Sequence, residues 1–122
     1  MIYMGLIFLV GFGLSGCYKD ILLPEAAVDP DAPPKSWSYK NDIAPLVNSK
    51  CALSGCHVSG SHKPYMKLDE SYLQIVGGGF INTNVPRENI LYKEINGGMQ
   101  EYIPSATDRQ KIYDWIRTGA LN

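Results

Sequence analysis

Cys51-Ala52-Leu53-Ser54-Gly55-Cys56-His57 is the stretch on which the reading of this chain turns. Two thiols lie close together, and the second is followed at once by an imidazole. A Cys-His pair of this kind closes the attachment motif of c-type haem. There, each thiol forms a thioether with one vinyl group, and the histidine that follows serves as an iron ligand. The usual spacer between the cysteines is two residues, and here it is four. Because the vinyl groups are a fixed distance apart, the longer spacer is expected to bulge outward. Ser54 and Gly55 are small and loop-prone and suit such a bulge.

Two other chemistries use the same residues. In an oxidising compartment Cys51 and Cys56 would close a small disulfide loop. Zinc would draw on Cys51, Cys56, His57 and His62. It needs four tetrahedral ligands, usually in well-separated pairs, which adjacent Cys56 and His57 suit poorly.

The chain has 122 residues and a net charge of -1, so one domain is expected and no basic patch for nucleic acid. Eight tyrosines and two tryptophans supply core material. A core of this size remains marginal without a metal, a disulfide or a covalent cofactor.

Three cysteines make an odd count. The third, Cys17, follows an apolar run over residues 1–16 that is too short to span a bilayer, which takes roughly 20 residues. The run reads as an export signal. It ends in Leu14-Ser15-Gly16-Cys17, which resembles the bacterial lipobox, so Cys17 is expected to be the lipidated N-terminus of the exported protein. No Lys or Arg precedes the run, a departure from the usual signal. The protein is then expected on a lipid anchor in the bacterial cell envelope. Cys51 and Cys56 remain as a pair.

Residues 17–36 carry Pro24, Pro30, Pro33 and Pro34 among acidic side chains. They read as an extended, solvated tether. The folded part is residues 37–122. Its first helix is expected from about Asn41 to Lys50, with Ile43, Leu46 and Val47 on one face and Pro45 in the first turn. A helix over Glu70–Val76, capped by Asp69, is expected to bury Leu73 and Ile75 or Val76. Another begins at Pro86, with Ile90, Leu91 and Ile95 inward. Gly97-Gly98 ends it and leaves Met99 in a loop. The last helix has Ser105 as N-cap and Ile112, Trp115 and Ile116 on one face, and Gly119 stops it. No segment alternates as a strand does. The expected class is all-α, with about four short helices.

In their order, these pieces resemble the small cytochrome c domains named for planctomycetes. The resemblance rests on Tyr39 to Pro45, on Ser54-Gly55-Cys56-His57, on Val85-Pro86-Arg87-Glu88-Asn89-Ile90-Leu91-Tyr92 and on Asp114-Trp115-Ile116-Arg117-Thr118-Gly119-Ala120. It covers about residues 38–122. It implies one covalent haem c on Cys51 and Cys56, with His57 as proximal ligand and a methionine just before the last helix as the sixth. Met99 stands there, followed by Gln100 where the family usually has proline. Met66 and His62 rank below it as ligands. A His/Met pair raises the reduction potential relative to two histidines. With both axial positions filled, the implied task is one-electron transfer to a transient redox partner protein in the envelope, and no enzyme activity. The rival readings are an open-site haem sensor or peroxidase-like protein, and a haem-free lipoprotein with a Cys51–Cys56 disulfide.

Overall fold

The computed structural model describes Glu25 and residues 27–122. The run expected to be an export signal and Cys17 lie outside the described residues. Within them the chain is all-α: regular structure is helical and no strand is present, and no helix is long and apolar enough to cross a membrane.

The first element begins with a wide turn, Tyr39–Ile43, and continues as α1, Ala44–Cys51. Ser38 starts it: its side chain accepts from the Asn41 N–H at 3.2 Å, while its own N–H donates to the Asp42 carboxylate at 2.9 Å. This reciprocal pair satisfies N–H groups that an open helix end would leave bare. Pro45 sits in the first turn of α1, where its missing N–H is no loss. Tyr39, Ile43 and Val47 recur every four residues and are all buried, and Leu46 is half-buried beside them.

The expected helix over Glu70–Val76 is replaced by a single turn at Ser71–Tyr72 that runs into a wide turn, Leu73–Gly77. Ile75 is fully buried, as the spacing implies. Leu73 is not: it is 72% exposed. Residues two apart lie on opposite sides of a helical turn, so the burial of Ile75, together with Ser71 four residues before it, turns Leu73 outward. The helix expected from Pro86 is also divided. Pro86–Glu88 form one 3-10 turn, Asn89 is extended, and α2 runs only over Ile90–Ile95. Asn89 is buried, with its side chain accepting from the Asn82 N–H and donating to the Pro86 carbonyl at 2.8 Å. That local pairing competes with the helix. Leu91 and Ile95 are buried as expected, and Ile90 is 53% exposed.

The last helix, α3, covers Ala106–Arg117. The Ser105 hydroxyl accepts from the Asp108 N–H at 3.1 Å, the cap read from the sequence. At its other end the Gly119 N–H donates to Ile116 and the Ala120 N–H to Trp115, and Gly119 has φ 104°. This is the Schellman closure that glycine favours, because a Cβ would strain a positive φ. Ile112, Trp115 and Ile116 are fully buried. Trp115 lies 5.0 Å, ring to ring, from Tyr39, which is 5.0 Å from Tyr72. The Trp115 Nε1–H donates to the Leu121 carbonyl at 2.8 Å and the Tyr72 hydroxyl to the Ala120 carbonyl at 3.1 Å. The core thus lies between α3 and the Tyr39–Cys51 element. Cys51 leaves this core at the end of α1 and enters a second, less filled region.

Candidate functional site

The four-residue spacer bulges outward. Leu53, Ser54 and Gly55 are exposed, and Gly55 takes φ 77° with open space where its Cβ would be. The loop closes on itself: the Cys56 N–H donates to the Leu53 carbonyl at 2.9 Å, and the His57 N–H donates back to the Cys51 carbonyl at 3.1 Å. The longer spacing is therefore absorbed in the bulge, and Cys51, Cys56 and His57 line one cavity of about 610 Å³. That volume lies inside the roughly 300–1,000 Å³ of ordinary ligand sites.

His57 is oriented by backbone. Its Nδ1 lies 3.1 Å from the His62 carbonyl and 3.0 Å from the Pro64 carbonyl. Two acceptors require Nδ1 to carry the proton. In the neutral ring Nε2 then holds the free lone pair, the arrangement in which an imidazole serves as a metal ligand. His62, a rival ligand on sequence grounds, contributes its carbonyl here. The residue lines the same cavity.

Met99 is also brought to the cavity. Gly97 and Gly98 turn the chain back over the end of α2, so that the Met99 N–H donates to the Glu94 carbonyl at 2.8 Å. Gln100, in place of proline, donates its own N–H to the Gly97 carbonyl at 3.1 Å and opens a short turn over Gln100–Tyr102. Proline has no N–H for that bond. The Met99 side chain stands at the rim, 40% exposed. Met66 lines the cavity too, and it is buried. Its N–H donates to the carbonyl of His57 itself at 2.7 Å, so its backbone lies alongside His57. Met99 comes instead from a separate loop, between α2 and the turn over Gln100–Tyr102.

The rest of the wall is mainly apolar. Pro64, Phe80, Ile90, Leu91 and Ile95 supply it, with Lys50, Lys63, Glu94 and Glu101 among the charged members. Sequence reasoning did not find Phe80. It follows three glycines, and it is placed here by two backbone bonds, its N–H donating to the Ile75 carbonyl at 3.3 Å and its carbonyl accepting from the Leu91 N–H at 3.2 Å.

The thiols of Cys51 and Cys56 are free of any disulfide. Burial, and secondarily the neighbouring Cys56, pushes the Cys51 thiol up to about 11. Among the described residues no three Cys, His, Asp or Glu side chains are gathered so that they could hold a metal ion. The donors that are present fit haem better: two thiols, one imidazole with Nε2 free, one thioether sulfur and an apolar wall around them. No family model, curated protein or solved structure matches this chain. The resemblance to small cytochrome c domains therefore stands on the residues quoted for it.

Proposed function

We propose that this protein is a monohaem c-type cytochrome, held in the bacterial cell envelope by a lipid on Cys17, that passes single electrons between docked redox proteins. The reading is carried by one observation: Cys51, Cys56, His57 and Met99 border a single apolar cavity, with His57 Nδ1 tied to two carbonyls. Haem, when bound, supplies the one-electron couple of its iron. Cys51 and Cys56 offer the two thiols for covalent attachment. His57 offers Nε2, and its two carbonyl acceptors hold the ring against rotation. Met99 offers a thioether sulfur, a soft donor that favours the reduced metal. Leu91 and Ile95, both buried, together with Phe80 give the walls an apolar lining, which lowers the local dielectric.

One observation favours a second reading. Met99 is half open to solvent, and a sulfur displaced from the cavity would leave one axial position for an outside ligand. That would be the open-site haem sensor or peroxidase-like protein. Protein exported in a host with haem-attachment machinery tests both. Denaturing mass spectrometry is expected to show one added haem that acid extraction does not remove. The reduced spectrum is expected to be unchanged by carbon monoxide. Ready carbon monoxide binding would favour the open site. A colourless product with a Cys51–Cys56 disulfide would sink the haem reading and leave a binding or structural lipoprotein.

A further inference from the structure

The stretch read as a solvated tether is partly fastened to the domain. Glu25 reaches the start of α3, where its carboxylate accepts from the Ser105 hydroxyl at 2.7 Å, the Ala106 N–H at 2.8 Å and the Thr107 N–H at 2.9 Å. Asp31 pairs with Arg87. The Ala32 carbonyl accepts from Arg117 Nη2 at 2.9 Å. The Lys35 N–H donates to the Asp114 carboxylate at 3.1 Å. Asp114 is only 5% exposed and also accepts from Gln110 and Arg117, so its carboxylate is fully engaged. These contacts run along the segment from Glu25 to Lys35.

α2 separates this segment from the cavity. Ile90, Leu91, Glu94 and Ile95 face the cavity. Tyr92 and Asn96 face a smaller hollow, which they share with Val28 and Pro30 of the segment. At 3.6 residues per turn the two sets of side chains are centred about 150° apart on the helix. No described residue of the segment lines the cavity.

The geometry points to residues 25–35 acting as a strap that shortens the lipid tether and fixes the domain with its cofactor cavity on the face away from the anchor. This rests on the reading of Cys17 as the lipidated residue. A free tether from Cys17 to Trp37 would extend to about 70 Å, but from Cys17 to Glu25 the chain reaches only about 28 Å. The domain is thus held close to the bilayer by its α3 side, while the cavity side stays open to a soluble partner.

The test uses full-length, haem-loaded lipoprotein on phosphatidylcholine–phosphatidylglycerol vesicles. Trypsin cutting after Lys35 requires the strap to lift. The Glu25→Ala, Asp31→Ala double variant is expected to yield the fragment beginning at Ser36 about tenfold faster than the wild type. Equal rates would overturn the strap. Lys50 and Lys63, on the cavity side, are expected to react with an amine-acetylating reagent as fast on vesicles as in detergent. A clear fall on vesicles would place the cavity against the membrane and overturn the orientation. Should the wild type fail to float with the vesicles, as Cys17→Ala is expected to fail, the lipid reading falls. The two cleavage rates, measured in solution, would then still decide the strap.

Discussion

Around α3, Ile112, Trp115 and Ile116 expose no surface, and Tyr39, Ile43 and Val47 close over them. Around the cavity, residues of the same chemical kind are left half open: Ile90 is 53% exposed, and Met99 and Tyr102 are 40% each. Both regions are built from short helical pieces joined by glycine and proline turns. The difference is that the first region fills its own interior and the second surrounds a space of about 610 Å³. Burying one large apolar side chain stabilises by about 1.5–3 kcal/mol. The α3 side gains that from its own residues. The cavity side gains it only when a large apolar body enters, which is what the proposed haem is.

The comparison can be broken most forcefully on the packed side. Trp115→Ala removes the largest buried ring together with its bond to the Leu121 carbonyl. It is expected to cost about 3–5 kcal/mol, read as a lowered midpoint in urea. A loss below about 1 kcal/mol would mean that α3 is not where the fold is held.

A cofactor-free chain sharpens the contrast. The Cys51→Ala, Cys56→Ala variant is expected to melt broadly, with weakened helix by circular dichroism. Hydrogen exchange should show protection persisting in α3 and lost over residues 90–102. Uniform protection with a sharp melt would show that the cavity region stands without a filler.

Met99→Ala tests the rim of the cavity at smaller energetic cost. The proposed function expects a lower reduction potential, loss of the weak sulfur-to-iron band at the red end of the ferric spectrum, and new binding of carbon monoxide. Met66→Ala is expected to change none of these. If Met99→Ala leaves spectrum and potential as they were, Met99 is a packing residue only.

The smallest effect belongs to the strap. The Ser105 hydroxyl and the Thr107 and Ala106 N–H groups hold the Glu25 carboxyl down to about 2, against an ordinary 4.5. A carboxylate held low stabilises the docked state above its ordinary value, and that contribution is lost as pH falls through the lowered one. The amide resonances of Ala106 and Thr107 are therefore expected to stay constant from pH 6 to below 4 and to titrate with a midpoint near 2. A midpoint near 4.5 would show that Glu25 does not cap α3.

Much of the packed side was legible in the chain. Ser105 with Asp108, the spacing of Ile112, Trp115 and Ile116, and Gly119 are local signals, each acting within one or two turns. The same is true of the cysteine and histidine stretch, whose bulge at Ser54-Gly55 forms as its composition implies. The middle of the chain was less legible. Leu73 and Ile90 have helical spacing, yet Leu73 is 72% exposed and Ile90 stands half open at the cavity. The side-chain bonds of the buried Asn89 break the helix before Ile90, and hydrophobic spacing does not say which of two possible faces turns inward.

The sequence by itself determined the all-α class, the ends of α3 and the outward bulge between Cys51 and Cys56, because caps, periodicity and loop composition are properties of neighbouring residues. Only the tertiary structure decided that Met99 and His57 border one cavity, that the carbonyls of His62 and Pro64 set the tautomer of His57, and that Glu25 caps a helix eighty residues away. Each of these joins separate segments through backbone groups or single polar atoms, and such groups are present in every residue. They become specific only when the burial of Tyr39, Ile43 and Trp115 has fixed where the segments lie.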